Sequence, residues 1–557
     1  MLDAPRTASS PPQIPSGPAW LPGRFVGPLV VAAWLLGAAL RAAYVLPAGF
    51  PLNDGGLFYA MAEDLRENAF RLPEVTSYNQ AGIPFVYPPL GFYVAAAIDS
   101  VTPFTLIDAF RFVPLAATCL TLPAFWLLAR RFLSPDLALV AASFAFALVP
   151  RSYIWLLMGG GLTRSLGLLF AILALHQVHR LYTSRGRVAL PLAALFAALT
   201  VLSHLETAWF LAFSTALMLV AFGRNRRAFA SSLLLAGAVA TLTSPWWLTV
   251  LFHHGFAPLL AASSTGGSFF SDGDTRAHLL LSLARVASTS EPLFPVIAVL
   301  GLLGAITSLV RGFWFLPAWW VAIVLLDARA FPTFTTVPVA ILAGVGVREV
   351  LVPAVQAAAR DAGAGRALAA PVVLVAVLLY AGVASLQRSP HAGGEAAFLQ
   401  ALDGAELEAF RWVENETPRG SRFLIVPDTS WETASTSEWF PMLAGRVSVA
   451  TVQGTEWLPG GVFQSRVKAY YEALECGYRT SACLQTWMQE TGLFFTHVYL
   501  RKWDGEGRCC DTLVESLLGD PHYALVYDGP GAMIFESLAD RPAVTKDPSG
   551  SDLSAGP

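Results

Sequence analysis

Long apolar runs separated by short loops fill residues 25–388 and constrain the fold more than any other feature. A helix needs about 20 mainly apolar residues to cross a bilayer, and shorter helices suit tilted or interior positions. The chain is 55% hydrophobic and 13% charged, whereas soluble domains are about 25% charged. The pattern therefore predicts a polytopic α-helical membrane protein. We place its spans at 25–46, 104–129, 135–150, 162–180, 188–203, 205–222, 228–251, 291–310, 313–327, 331–350 and 367–387.

Arginines recur in alternate short loops of this region, and they orient the predicted spans. Positively charged loops stay on the cytoplasmic side, which puts the N-terminus inside and the C-terminus outside if eleven helices cross. This count requires that residues 86–101 re-enter or lie at the interface, and a topology of twelve spans is the alternative. The loops concerned contain Arg6 and Arg24, Arg130 and Arg131, Arg180 to Arg187, Arg224 to Arg227, Arg311, and Arg348 to Arg366.

The character of the chain changes near residue 390, which predicts a second domain. Strand-like segments (RFLIVPD, RVSVATV, THVYL, YALVYDG) alternate there with helix-like ones (AELEAFRWVENE, RVKAYYEALE), as in a small α/β domain. The topology places this domain outside the cytoplasm. The predicted organisation is a disordered cytoplasmic tail (1–24), a transmembrane domain (25–388) with its first outer loop at 47–103, an extracytoplasmic α/β domain (389–540) and a disordered tail (541–557).

Cysteines and net charge narrow the possible partners. Cys476, Cys483, Cys509 and Cys510 cluster in the predicted outer domain, where two disulfides could form. No His/Cys spacing typical of a zinc site accompanies them. The net charge of −3 gives no reason to expect nucleic acid as a partner. The membrane is the partner that the composition predicts.

The stretch FPLNDGGLFYAMAEDL (50–65), directly after the first span, contains the first candidate for catalysis. Asn53 and the two glycines favour a turn, so Asp54 is placed at the start of an amphipathic helix close to the membrane plane. A carboxylate there is either a helix N-cap or a catalytic group. Asp64 is a second candidate further along, although it and Glu63 also fit a solvated helix face.

Arginines on the outer side, against the positive-inside rule, are candidates for binding phosphate. A guanidinium is always charged and forms forked hydrogen bonds to phosphate. Arg329, near Asp327, and Arg164, after three glycines, are the two that we select, and an Asp327–Arg329 salt bridge is the structural alternative. The full set is Arg41, Arg111, Arg151, Arg164, Arg276 and Arg329.

Two further segments carry candidate substrate contacts. Tyr87 precedes two prolines in FVYPPLGFYV (85–94), where aromatic residues suit either the membrane interface or a substrate. His204 and Glu206 lie in SHLETAW (203–209), at the predicted tip of a helical hairpin. They could position a substrate or metal, or simply cap two short helices. The Asp-Gly-Asp spacing at 272–274 is weak support for a metal site.

The order of these features resembles that of the GT-C superfamily of membrane glycosyltransferases. The chain is similar to the bacterial protein-mannosyltransferase and aminoarabinose-transferase group over residues 25 to about 350. The segments that carry the resemblance are LNDGGLFYAMAEDL, YPPLGFY and DAFRFVPLAATCLTLPAFWLLARRF. The sequence departs from many members in having a single acid in NDGG where they have an acid pair, which leaves the second carboxylate unassigned.

The resemblance implies a fold and an activity. It implies transfer of a sugar from a polyprenyl-phosphate carrier to a glycan, lipid or protein acceptor on the outer face of the cell membrane, with inversion at the anomeric carbon. Asp54 would act as the general base, and Arg329 and then Arg164 would hold the carrier phosphate. Such chemistry needs a base and cations for the departing charge. It strictly requires neither nucleotide nor metal, although a divalent metal is possible.

Three alternatives stay open at this stage. The segment 428–457 is faintly similar to the outer domain of oligosaccharyltransferases, which would imply transfer of a whole glycan to an Asn acceptor. A transporter of lipid-linked saccharides would predict inverted repeats or paired broken helices, and the sequence shows neither. A non-catalytic membrane scaffold would not require Asp54 and Arg329 to approach each other.

Overall fold

A bundle of helices forms the first part of the molecule. The computed structural model describes residues 21–265 (without 185 and 187), 281, 289–361 (without 292 and 293), 366–387, 399–502 and 510–538. The helices of the bundle and its loops are α1 (Gly23–Val45), α2 (Gly56–Glu67), α3 (Leu90–Val101), α4 (Leu106–Ala129), α5 (Leu137–Leu148), α6 (Gly161–Thr183), α7 (Ala189–Ser203), α8 (Leu205–Phe222), α9 (Arg226–His254), α10 (Ala257–Ser263), α11 (Val296–Val310), α12 (Phe315–Leu326), α13 (Phe331–Gly346), α14 (Val352–Asp361) and α15 (Arg366–Gln387).

Every apolar run proposed as a span contains one of these helices. Within the described residues, six helices are long and apolar enough to cross a membrane, and a seventh span arises if α5 and the turns that follow it are joined across a 77° bend. Shorter apolar helices, α3 among them, accompany these. With 12 residues, α3 is shorter than the about 20 residues that a bilayer requires. The chain is a multi-pass membrane protein, as its composition predicted.

Small residues bring the helices of the bundle into close contact. Gly304 on α11 faces α13, where a Cβ at this position would lie 1.9 Å from the carbonyl oxygen of Leu342. Gly344 on α13 faces α5 in the same way, 2.2 Å from the carbonyl oxygen of Ala138. Lipid-embedded helices gain little from the hydrophobic effect against each other, so close van der Waals contact at small residues holds them together. This packing fixes the frame from which the loops project.

The C-terminal part is an α/β domain. Its helices are α16 (Gly404–Glu416), α17 (Ser435–Leu443), α18 (Val462–Cys476), α19 (Ala482–Thr491) and α20 (Asp511–Gly519), and its strands are β1 (Arg422–Ile425), β2 (Val447–Ser448), β3 (His497–Arg501), β4 (Tyr523–Asp528) and β5 (Ala532–Ser537). The described part of the domain holds one five-stranded sheet in the order β2-β1-β3-β5-β4.

The sheet is mixed, with a parallel and an antiparallel half. β1 pairs in parallel with both β2 and β3, and Phe423 lies opposite Ser448 on one side and His497 on the other. β5 runs antiparallel between β3 and β4. The four strand-like segments of the sequence all contain strands, and β5 is an addition to them. The predicted fold class, a helical membrane protein with a C-terminal α/β domain, is confirmed.

One of the predicted disulfides lies within the described residues. Cys476, at the end of α18, is bonded to Cys483 in α19, with their Cα atoms 5.5 Å apart. The bridge closes the turn between two helices that pack on the sheet. Cys509 lies outside the described residues, as does the linker-like segment 388–398.

Candidate functional site

The segment before Asp54 is held between the bundle and the α/β domain. Leu52 forms a parallel bridge to Met158 and an antiparallel bridge to Ala401. On the bundle side the N–H of Gly159 donates to the carbonyl of Leu52 over 2.8 Å, and on the domain side the N–H of Asn53 donates to the carbonyl of Gln400 over 3.0 Å. Backbone hydrogen bonds from both sides therefore fix the position of the next residue, Asp54.

Asp54 and Arg164 form the centre of the site. Arg164 Nη2 donates to Asp54 Oδ2 over 2.7 Å, and the backbone N–H of Gly160 donates to Oδ1 over 2.8 Å. The side chains of Asp54 and Arg164 are 14% and 25% exposed, so water screens the pair only in part. Since a carboxylate has about four acceptor positions, Asp54 can still accept a hydrogen bond from a substrate. The two residues selected separately from the sequence are thus in direct contact.

The α/β domain contributes a buried carboxylate to the same site. Glu438, in α17, is 6% exposed, and its Oε1 accepts a hydrogen bond of 2.9 Å from the N–H of Gly55. Tyr78 from the loop after α2 donates to the backbone carbonyl of Glu438 over 2.7 Å. Next to it, the indole N–H of Trp439 donates to the carbonyl of Asn53 over 2.8 Å. Neither Glu438 nor Trp439 is among the candidates selected from the sequence.

Burial and charge favour the protonated form of Glu438. Removal from water raises the pKa of Glu438 to about 8, and the nearby carboxylate of Asp54 adds to this increase. Hydrogen bonds from the N–H groups of Gly55 and Leu57 act in the opposite direction, as does Arg164. The neutral acid avoids a second uncompensated negative charge beside the Asp54–Arg164 pair.

Tyr87 lies close to the start of α6. Its hydroxyl is 3.4 Å from that of Thr163, one residue before Arg164 in α6. Burial raises the pKa of Tyr87, while the Thr163 hydroxyl and the charges of Arg164 and Arg329 oppose the increase. Both guanidinium groups, and the carboxylate of Glu206, therefore lie within electrostatic range of this phenol. The sequence candidates Tyr87, Arg164, Glu206 and Arg329 belong to one neighbourhood.

Arg329 is the exposed cation of this neighbourhood. Burial raises the pKa of Glu456, in the α/β domain, and the positive charge of Arg329 acts against that change. Asp327 caps the turn before α13, since its Oδ1 accepts a hydrogen bond of 2.8 Å from the N–H of Ala330.

Two sequence candidates have local contacts of their own. His204 Nδ1 accepts a hydrogen bond of 3.2 Å from the N–H of Thr207. His204 therefore caps α8, which is the helix-capping role weighed against substrate binding in the sequence. Its ring also lies 6.3 Å from the ring of Tyr87. Asp64 Oδ2 accepts hydrogen bonds from the Thr76 hydroxyl over 2.7 Å and the Ser77 N–H over 2.9 Å. These contacts hold the loop that follows α2.

Three of the other outer arginines, Arg41, Arg111 and Arg151, have contacts of their own. Arg41 and Arg111 donate to backbone carbonyls of neighbouring segments, and Arg151 lies over an indole ring. Arg276 and the Asp-Gly-Asp segment 272–274 lie outside the described residues. Within the described ranges, no three His, Cys, Asp or Glu side chains come together as a metal-binding group.

No protein-family model matches this sequence, and no curated protein matches it either. Solved structures do share its fold. The archaeal oligosaccharyltransferase AglB from Archaeoglobus fulgidus, in complex with an inhibitory peptide and a dolichol-phosphate, superposes with a TM-score of 0.55 and 14% identity over 86% of this chain and 69% of its own. ArnT from Cupriavidus metallidurans, bound to undecaprenyl phosphate, gives a TM-score of 0.50 and 14% identity over 93% and 99%.

A third similar structure is the arabinofuranosyltransferase AftD from Mycobacteria. It has a TM-score of 0.51 and 16% identity, and the match covers 95% of this chain but 42% of AftD. The chain therefore shares its fold with AglB, ArnT and AftD, as the resemblance to GT-C membrane glycosyltransferases predicted.

Proposed function

We propose that the protein is an inverting glycosyltransferase that moves a sugar from a polyprenyl-phosphate carrier to an acceptor hydroxyl on the outer face of the cell membrane. The observation that carries this proposal is the contact between Asp54 and Arg164, 2.7 Å long, at the junction of a GT-C bundle with its α/β domain. In this proposal Asp54 is the base and Arg164 a cation that binds the phosphate, so the contact would join both groups in one site. The undecaprenyl phosphate bound to ArnT and the dolichol-phosphate bound to AglB support the class of donor.

The arginines would hold the donor phosphate. A phosphate that approaches Arg164 competes with Asp54 for its guanidinium, and exposed Arg329 can bind the same anion from the other side. As the bond between the anomeric carbon and the phosphate oxygen breaks, its electron pair stays on the phosphate. Cations already in place stabilise that charge without reorganisation. Tyr87, whose hydroxyl lies 3.4 Å from that of Thr163, would contact the sugar.

Asp54 would accept the proton of the acceptor. The acceptor oxygen attacks the anomeric carbon from the face opposite the phosphate, which inverts its configuration, and its proton passes to the carboxylate of Asp54. The Gly160 N–H, 2.8 Å from Oδ1, keeps the carboxylate oriented during this step. Asp64, the second sequence candidate, takes no part in this scheme because its hydrogen bonds go to the loop after α2. No step depends on a metal ion.

A gene deletion tests the activity even while the identity of the sugar is open. We expect cells without the protein to accumulate one polyprenyl-phosphate sugar and to lack one sugar on a cell-surface glycan, lipid or protein. Mass spectrometry of both pools measures this, and the wild-type gene should restore them. Unchanged lipid-linked sugars and unchanged surface glycans in the deletion strain would contradict the proposal.

Transfer of a preassembled glycan is a second candidate that one observation favours. The domain segment 428–457, compared above with oligosaccharyltransferases, reaches the loop before Asp54, where Asn53 Nδ2 donates to the carbonyl of Thr433 over 3.0 Å. The acceptor product separates the two candidates. A mass increase of one sugar supports the first, and an increase of several sugars in one step supports the second.

A further inference from the structure

The parallel half of the α/β sheet creates a crevice that the proposed reaction does not use. In the sheet order β2-β1-β3, the strands that follow β1 in the chain lie on opposite sides of it. The chain connections therefore lead away from β1 in opposite directions. Ligands of open α/β sheets bind where the carboxyl ends of parallel strands diverge in this way. Here a cavity of about 80 Å³ lies at that point, bordered by Asp428 after β1 and by Arg501 at the end of β3.

Hydroxyl groups dominate one wall of this crevice. Thr429, Thr433 and Ser435 line it, with further hydroxyl residues at the start of α17. Thr433 Oγ1 lies 3.1 Å from Thr429 Oγ1 and 3.1 Å from Ser430 Oγ. A hydroxyl group both donates and accepts hydrogen bonds. Each of these hydroxyls can therefore replace its hydrogen bond to a neighbouring hydroxyl with one to a hydroxyl of a ligand. The wall therefore matches a ligand that is itself rich in hydroxyl groups.

The charges around the crevice select against an anion. Arg501 Nη2 lies 3.1 Å from Glu406 Oε2, a carboxylate that is 1% exposed, and Thr436 also donates to Glu406. Burial raises the pKa of Glu406 to about 7, while Arg501 opposes the increase and Asp428, which also borders the crevice, adds to it. Arg501 is therefore already paired with an acid of the domain. A phosphate or carboxylate in the crevice would compete with Glu406 for Arg501 and meet repulsion from Asp428, whereas a neutral polar ligand would not.

The crevice reaches the proposed catalytic site. Asn53 lines it and is the direct neighbour of Asp54 in the chain. The same residue contacts Thr433 over 3.0 Å, so one wall of the crevice is tied to the loop that positions the base. A ligand bound here therefore lies next to the loop that carries Asp54.

We infer that this crevice binds a neutral saccharide unit of the acceptor. The hydroxyl wall and the pairing of Arg501 with Glu406 favour a saccharide as the ligand. The assignment of this saccharide to the acceptor rests on the proposed function. The acceptor would accordingly be a glycan or glycolipid, with one sugar held in the crevice and a reactive hydroxyl directed towards Asp54.

Binding of free sugars by the purified full-length protein tests this inference. Saturation-transfer NMR in lipid nanodiscs, free of sugar-headed detergent, should show contacts to methyl glycosides of glucose, galactose or mannose. Excess inorganic phosphate should leave these signals unchanged. Absence of all glycoside contacts, or displacement by phosphate, would overturn the inference.

Variants locate the bound sugar. Asp428→Asn and Thr433→Val should each weaken glycoside binding about tenfold, the loss expected for one hydrogen bond to a buried ligand. Glu490→Gln, an exposed acid of the same domain, is the matched control, and unfolding temperatures show that each variant is folded. Arg329→Gln should bind glycosides as the wild type does. A loss of binding in Arg329→Gln, with none in the crevice variants, would place the sugar in the donor site and overturn the inference.

Glycoside binding in the crevice and the proposed sugar transfer can fail independently of each other. Glycoside binding is read without any transfer, so absent binding together with altered lipid-linked sugars in the deletion strain removes the crevice inference alone. Specific binding together with unchanged lipid-linked sugars removes the transferase proposal and with it the assignment to an acceptor.

Discussion

At the scale of single residues, the site depends on a carboxylate that accepts hydrogen bonds from two partners. Asp54 contacts the guanidinium of Arg164 and the N–H of Gly160, and Glu438 holds the next backbone N–H, that of Gly55. These contacts join parts of the chain that are far apart in sequence. Each can be changed by substitution without removing much of the hydrophobic core.

Removal of Arg164 should expose the charge of Asp54. We expect Arg164→Gln to destabilise the protein by about 2 kcal/mol, because a partly buried carboxylate loses its charged partner. Unfolding temperature in detergent measures this change. The double variant Asp54→Asn/Arg164→Gln should regain much of the stability, since no uncompensated charge remains. Equal destabilisation in the single and double variants would show that the pair does not interact.

Glu438 should make stability depend on pH. Because its pKa in the folded protein is raised to about 8, above the unfolded value of about 4.3, folding favours the protonated acid. This contribution is fully present below the unfolded pKa and is lost as pH rises through about 8. Glutamine resembles the protonated acid, so Glu438→Gln should gain stability relative to the wild type between pH 5 and 8.5, as measured by thermal unfolding. A difference that stays constant with pH would contradict this.

At the scale of elements, the turn before α6 approaches the carboxylate of Asp54 closely. A Cβ on Gly160 would lie 2.5 Å from Asp54 Oδ2, so only glycine leaves the carboxylate in place. We expect Gly160→Ala to reduce sugar transfer about 100-fold, because a displacement of about 1 Å in a reacting group can have that effect. Transfer activity in isolated membranes measures it.

Gly237 provides the matched control for that substitution. It lies within α9, where an added Cβ would meet nothing within 4 Å, and alanine favours a helix. Gly237→Ala should therefore keep full activity. Similar losses in both variants would show that the effect of Gly160→Ala is not specific to the site.

Elements that form from local sequence could be predicted, and those that form through distant contacts could not. Apolar runs of the bundle identify their helices directly, and the turn residues around Asp54 predict its place before α2. By contrast, α17 begins with Ser and Thr and contains Pro441, features that disfavour a helix in isolation. Its position is fixed by docking on the loop before Asp54, so no local pattern identifies Glu438, 383 positions from Gly55.

The arginines show the same limit of prediction from local sequence. The sequence favours Arg329 over Arg164 because of its surroundings, yet Arg164 is the residue in contact with Asp54. The contact arises because the turn at Met158 bridges to Leu52, which carries the start of α6 to the loop. Such pairing depends on the packing of α1, α4 and α6, which a single sequence does not reveal.

At the scale of the whole molecule, the α/β domain and the Asp54 site are expected on the outer side of the membrane. The arginine-rich loops predict this orientation, and the Cys476–Cys483 disulfide fits an oxidising compartment. Alkaline phosphatase fused after residue 538 should be active, because it folds only outside the cytoplasm, and a fusion after Arg224 should be inactive. The reverse pattern would invert the topology and separate the site from an outer acceptor.

Asp54 is proposed to serve as the base in transfer from a lipid-linked sugar. The most direct measurement is mass spectrometry of polyprenyl-phosphate sugars and surface glycans in deletion cells that express Asp54→Asn or Asp64→Asn, with both proteins shown to insert in the membrane. We predict that Asp54→Asn lowers transfer about 100-fold or more, so the lipid-linked sugar accumulates, while Asp64→Asn restores the wild-type pools. Restoration of both pools by Asp54→Asn would contradict the account.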